Sequence, residues 1–345
     1  MTGKKKLILG LKLLFGIACL AIVLYYVDLG ATVSLFTNIG MGSLAALYAI
    51  YMADRVLMAY KWGLLLWKNG VTIGLWPLVK AYCYSAFAGT VLPASVGSDV
   101  VRFLTVAREP IEQRILVASM VVEKLLAFLA IAAMAATGIV LLYALSNAHD
   151  KAAVLLEGVV WFAAFAMGGM LGVWLILSRV KSIGSWVPRF ASPLLPKLLS
   201  VVDALITFAG QRRLLLVFFA LSLLEQLVAV AGVYVVAKSM AIPISVLHTF
   251  CIVSIALLLA RIPITISGLG VQEGIYVALF ALVGLSAEQG LALSIGARIM
   301  DIVLPLPIAT IYFSETVRSI KQARLKGGDA PAASYAEAKR VGPEN

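Results

Sequence analysis

The chain is 345 residues long, 62% hydrophobic and only 13% charged, with a formal net charge of +11 and a mean hydropathy of +1.01. That composition lies far outside the soluble range and excludes an ordinary water-soluble enzyme. The positive charge lies beside apolar runs, so it reads as a membrane-orientation signal and an attraction to anionic lipid heads, with no nucleic-acid partner.

The expected fold class is all-α: a polytopic membrane bundle with six full spans and two opposed re-entrant helical hairpins, each span about 20 residues long. Lys4–Lys6 precede a first span at 7–27, which lacks a convincing cleavage site and is read as an uncleaved anchor. A second span at 43–66 carries Asp54 and Arg55. The segment 76–108 has two apolar arms around a Pro/Gly break and reads as a hairpin. Spans follow at 115–144, which carries Glu123 and Lys124, and at 153–177. Between Leu194 and Gln211, Leu194, Leu198, Val202 and Leu205 recur at helical spacing opposite Lys197, Ser200, Asp203 and Thr207. This marks an amphipathic cytoplasmic linker helix within 182–213. A span at 214–237 carries Glu225, 245–286 is the second broken segment, and 289–313 carries Arg298 and Asp301. One integral membrane domain therefore covers 1–320, with halves at 1–178 and 214–320; 321–345 lacks apolar periodicity and is expected to be a disordered cytoplasmic tail.

The two broken segments resemble one another. Leu92-Pro93-Ala94-Ser95-Val96-Gly97-Ser98-Asp99 leads to Arg102, and Ile262-Pro263-Ile264-Thr265-Ile266-Ser267-Gly268-Leu269-Gly270 leads to Glu273. With one residue inserted, Pro93 aligns with Pro263, Gly97 with Gly268, Asp99 with Gly270 and Arg102 with Glu273. Paired broken hydrophobic segments in two halves point to a transporter's binding site. Each tip needs Gly and cap residues to restart a helix, and that helix would aim unsatisfied backbone N–H groups at the middle of the protein.

Ionisable groups in hydrocarbon are costly unless paired, so they mark a functional interior by default. The sign pattern is complementary: Arg102 can meet Glu123, and Glu273 can meet Arg298. Asp99, Lys124, Arg261 and Asp301 complete the candidate binding and translocation set; Pro93, Gly97, Pro263, Gly268 and Gly270 are the expected hairpin breaks. The alternative role for these charges is a set of ion pairs that only hold helices in register.

Treating both broken segments as hairpins places 21 Lys and Arg on one side of the membrane, against Lys151 and Lys238 on the other. By the positive-inside rule both termini are cytoplasmic. No cofactor or metal is expected: His149 and His248 have no neighbouring ligands, Cys19, Cys83 and Cys251 are scattered without CxxC spacing, and no phosphate-binding loop or dinucleotide fingerprint occurs.

The pattern from Leu92-Pro93 through Gly97, Asp99 and Arg102, the Glu123-Lys124 span, and Gly268-Leu269-Gly270-Val271-Gln272-Glu273 with the late Arg298 resembles the lysylphosphatidylglycerol synthase/flippase transmembrane-domain family over roughly 7–320. The family's first motif often reads Gly-Gly-Asp where this chain has Gly97-Ser98-Asp99. The resemblance implies an inner-membrane domain with re-entrant helices that moves lipids between leaflets. Bifunctional members carry a soluble aminoacyl-transfer domain after the membrane part; 31 residues follow Ser314 here, so the likeness is to the translocating half alone. The expected function is flipping of a lipid or lipid-linked molecule with a polar, phosphate-bearing headgroup across the bacterial inner membrane. Its partners would be membrane lipids and lipid-biosynthesis enzymes. The alternative is an intramembrane enzyme or accessory subunit of lipid or glycolipid biosynthesis.

Overall fold

The computed structural model describes residues 14, 17–25, 27–91, 95–107, 111–145, 203–208, 210–261, 265, 268–308 and 310. Among them every regular element is helical. The helices are α1 (Ile17–Tyr25), α2 (Leu29–Ser34), α3 (Met41–Trp67), α4 (Leu75–Val91), α5 (Ser95–Val106), α6 (Gln113–Leu145), α7 (Arg212–Ser239), α8 (Val246–Leu259), α9 (Val271–Leu282) and α10 (Ala287–Val303), with a short 3₁₀ turn at Leu35–Asn38. Among the described residues three helices are long and apolar enough to cross a bilayer by length and composition: α6, α7 and α10 continued to Ile308. A bent pair, α1 with Leu29–Asn38, would make a fourth if it forms one span. The expected span at 153–177, residues 182–202 of the linker helix, the tail at 321–345, and Pro93 and Pro263 lie outside the described residues.

Helix α7 shows why this bundle belongs in lipid. It buries Ser222, Glu225 and Gln226 and leaves Leu216, Val217, Leu224 and Leu227 exposed. A soluble helix would turn the opposite face outward; a helix whose outer side is apolar and whose inner side is polar has hydrocarbon as its solvent. The first helical run bends where the chain supplies a cap. The Asp28 carboxylate accepts from the Gly30 and Ala31 backbone N–H at 2.7 and 3.1 Å, and Ile17–Tyr25 and Leu29–Asn38 meet at 95°. The run expected as a single span over 7–27 therefore continues into a second, steeply inclined helix.

Both broken segments form helix pairs. In the first, α4 packs along α5, and α5 begins at Ser95. Gly97, expected in the break, is thus the third residue of a helix, and residues 92–94 lie outside the described residues. In the second, α8 packs against α9. Gly270 is the N-cap of α9 with φ of +77°, and Gly268 has φ of +70°. Both sit in the left-handed region, which costs a residue with a Cβ but not glycine. The proposed alignment of the two tips is therefore only partial: Glu273 lies three residues into its helix, whereas Arg102 lies eight residues into α5.

Two large apolar cores, with a smaller cluster at Met134, Val230 and Val253, hold the described helices. One joins α6, α7, α8, α9 and α10 through Ile131, Ile139, Cys251, Phe280 and Leu293; the other joins α3, α4, α6 and α7 through Trp62, Leu66, Leu78, Leu116 and Phe218. Small residues set the closest approaches, as in other membrane bundles. A Cβ on Gly290 would stand 3.0 Å from the Tyr276 carbonyl oxygen and 3.1 Å from the Val277 Cα, both backbone atoms of α9. We expect Gly290→Val to force α9 and α10 apart and cost about 1–3 kcal/mol, read as a lowered Tm in detergent. Gly42→Ala, at a position with open space around it, should leave Tm unchanged or slightly raised.

Candidate functional site

The first charge cluster is assembled by four helices. Arg102 on α5 and Glu123 on α6 are each 5% exposed, and the Arg102 Nη1 donates to Glu123 Oε1 at 2.8 Å. The Tyr82 hydroxyl on α4 donates to the same oxygen at 2.6 Å. The guanidinium carbon also lies 4.8 Å from the Trp62 ring and 4.7 Å from the Tyr82 ring. These rings meet edge to face at 5.7 Å, and the Trp62 indole N–H is held by Ser119 Oγ at 3.0 Å. Aromatic faces supply favourable potential to a desolvated cation while leaving part of its donor set available. At the rim, Lys124 Nζ reaches Asp99 Oδ2 at 2.5 Å, and Arg102 Nη2 lies 3.7 Å from Asp99 Oδ1.

A second pair crosses between the halves. Lys61 on α3, 1% exposed, forms an ion pair with Glu225 on α7 and donates to Ser222 Oγ at 3.1 Å. Its ammonium also lies 5.0 Å from the Phe218 ring.

At the second helix break, Glu273 is 2% exposed and serves two partners. One carboxylate oxygen accepts the Gly270 backbone N–H at 2.7 Å, capping α9. The other accepts Arg298 Nε at 2.9 Å and lies 2.8 Å from Arg298 Nη2. Arg298 Nη2 also donates to Gln272 Oε1 at 3.2 Å. A fixed carboxylate thus ties the restart of α9 to α10 through charge-assisted hydrogen bonds.

Two cavities adjoin these clusters. The larger, about 560 Å³, is lined by Arg55, Lys61, Tyr82, Ser85, Gly89, Ser98, Asp99, Arg102, Glu123, Lys124, Glu225 and Arg261, with Met58, Ala86, Ala127 and Phe128. It therefore draws on both broken segments: α4 and α5 form its wall, and Arg261, two residues beyond α8, reaches it from the second half. The smaller, about 190 Å³, is lined by Tyr51, Asp54, Arg55, Gln272, Tyr276 and Asp301 among apolar side chains. Arg55 lines both and is paired with Asp54 at 2.5 Å.

Of the residues singled out in the sequence, Asp99, Arg102, Glu123, Lys124 and Arg261 converge on the larger cavity. Asp301 lines the smaller one, and Glu273 and Arg298 form the brace beside the second break. Both expected pairs, Arg102–Glu123 and Glu273–Arg298, are present. Sequence reasoning did not single out Lys61 or the aromatic box of Trp62 and Tyr82. The position of Lys61 inside an otherwise apolar run, with Glu225 as the one carboxylate of another span, was the available signal. Among the described residues no cluster of His, Cys, Asp and Glu could hold a metal ion.

A family profile described as the lysylphosphatidylglycerol synthase TM region matches residues 8–309. The chain belongs to this family. It is also similar to a UPF0104 membrane protein of Methanothermobacter thermautotrophicus, 29% identical over 120 residues, which cover 34% of each chain. The match thus spans about a third of that relative's length. Family membership and the apolar helices make this a multi-pass membrane protein.

Removing one partner of the Arg102–Glu123 pair leaves the other charge buried and alone. Arg102→Gln should therefore destabilise the protein by about 3–5 kcal/mol, measured by thermal unfolding in detergent. The double change Arg102→Met with Glu123→Leu should recover most of that loss. If it does so without restoring function, the pair serves the site as well as the fold.

Proposed function

We propose that the protein translocates a lipid or lipid-linked molecule with a phosphate-bearing headgroup between the leaflets of the bacterial inner membrane. One observation carries this reading: a cavity of about 560 Å³ with five cationic and three acidic side chains on its wall, inside a bundle whose outer surface is apolar. A headgroup is the part of a lipid that cannot cross hydrocarbon unaided. Such a wall exchanges protein charge and hydrogen bonds for its hydration, while the acyl chains stay in the bilayer. The residues flanking the first helix break, Gly89 and Ser98, line this cavity, and Arg261 at the second break does too. This is the arrangement expected where two re-entrant hairpins enter from opposite faces. In this reading 1–320 is one membrane domain, 321–345 a cytoplasmic tail, and lipid-biosynthesis enzymes are the partners that supply cargo.

A leaflet-resolved lipid inventory tests the reading, in cells lacking the protein and in cells complemented with wild type or Arg298→Gln at matched membrane abundance. We expect one lipid at normal total amount to be depleted from the outer leaflet and restored only by wild type. Disappearance of that lipid with build-up of its precursor would make the protein a biosynthetic enzyme or subunit instead. Orientation has its own measurement. In a background with the three cysteines replaced by Ser, Lys238→Cys should react with an impermeant maleimide in intact cells, and Lys68→Cys only after lysis. The reverse pattern would place the termini outside.

A further inference from the structure

Charge matching along the larger cavity gives the sign of its occupant. Four of its five cations are neutralised within the protein: Arg55 by Asp54, Lys61 by Glu225, Arg102 by Glu123 and Lys124 by Asp99. The fifth, Arg261, is exposed to the cavity, and its guanidinium makes no hydrogen bond or ion pair among the described residues. It follows the last turn of α8, with its backbone N–H bonded to the Leu258 carbonyl at 3.1 Å. The carbonyl end of a helix favours a cation there, and Glu225, which shares the cavity wall, is already engaged by Lys61. Two further donors, the Nε groups of Arg55 and Arg102, are buried without an acceptor. A guanidinium with no ion-pair partner among the described residues, next to a cavity already rich in N–H donors, is an incomplete ion pair suited to an anion.

We propose that the cavity takes an anionic, phosphate-bearing group whose charge is balanced by Arg261, and that it discriminates against headgroups of net positive charge. The proposal rests on the lipid-translocation reading and narrows it. A phosphate monoester or diester offers oxygen acceptors that a guanidinium binds in a bidentate, charge-assisted manner. An aminoacyl headgroup such as that of lysylphosphatidylglycerol carries two ammonium groups on one phosphate. Its net charge is positive, and it would place those ammonium groups among cations whose carboxylates are already engaged. Like-charge juxtaposition of this kind is a specificity device. The wall is therefore suited to an acidic phospholipid head or a lipid-linked phosphate.

The test uses the full-length protein in phosphatidylcholine nanodiscs, titrated with a fluorescent phosphatidic acid. Unlabelled phosphatidic acid, lysylphosphatidylglycerol and inorganic phosphate serve as competitors. We expect phosphatidic acid to compete at least about ten-fold better than the lysyl lipid. Arg261→Gln should weaken binding of the labelled lipid by about ten-fold, as for loss of a hydrogen bond to a charged group, and Arg261→Lys should retain most of it. A preference for the lysyl lipid, or unchanged binding by Arg261→Gln, overturns the anion assignment and leaves lipid translocation standing. If inorganic phosphate binds in an Arg261-dependent way and no lipid binds, the anion site stands and the lipid reading falls. The order of competitors on the wild-type protein needs no variant, so it decides the sign of the charge even if Arg261→Gln does not fold.

Discussion

A charge carried into hydrocarbon has to be compensated inside the protein, because lipid offers neither water nor counter-ions. In this bundle that compensation is made between different helices, two of the pairs joining consecutive helices and one joining helices far apart in the chain. Arg102 on α5 meets Glu123 on α6, Lys61 on α3 meets Glu225 on α7, and Glu273 on α9 meets Arg298 on α10. Each contact fixes the rotation of two helices at once, since a turn of either would aim a charge at lipid. The apolar cores then pack around a register already constrained by the ionic pairs. A hydrophobic substitute of matched shape could hold the same helices at equal or lower cost, so stability alone does not explain why so many charges are retained.

The same contacts give the protein a polar interior with defined directionality. The Arg102 guanidinium is held by a carboxylate on one side and by the Trp62 and Tyr82 ring faces on others. That leaves the region toward Asp99 and Lys124 as the wet side of the cluster. Glu273 is used differently. By capping α9 at Gly270 and binding Arg298, it makes the shape of the helix break and the position of α10 one mechanical unit. A displacement of α10 would pull on the cap, and a displacement of the break would pull on Arg298. Arg55, which lines both cavities, is the corresponding link between the two polar spaces.

Much of the helical layout was legible from hydropathy. The expected spans at 43–66, 115–144 and 214–237 lie within α3, α6 and α7, and the arms of both broken segments agree with α4, α5, α8 and α9 to within a few residues. Such segments declare themselves because the bilayer demands long apolar runs and tolerates few interruptions. Gly97, expected in the first break, has a helical backbone, and the residue type alone does not say whether a glycine ends a helix or allows one to approach a neighbour. Lys61 was passed over for a related reason. A lysine near a span's end reads as an interfacial anchor, and only packing against α7 shows that its ammonium points inward to Glu225.

By itself, the sequence determined that this is a helical membrane protein with two interrupted segments and a set of intramembrane charges of complementary sign. Those properties follow from local composition, since each apolar run must satisfy its own backbone hydrogen bonds and each charge within it must find an opposite. Tertiary structure alone decided that Lys61 meets Glu225, that residues from both breaks line one cavity, and that Arg261 is the cavity cation without an ion-pair partner among the described residues. Pairing depends on the rotation and depth of each helix, and for Lys61 and Glu225 the two helices are more than a hundred residues apart. Those quantities are set by close packing at Gly290 and Gly138 and by the capped restart at Gly270, and no periodicity in the chain encodes them separately.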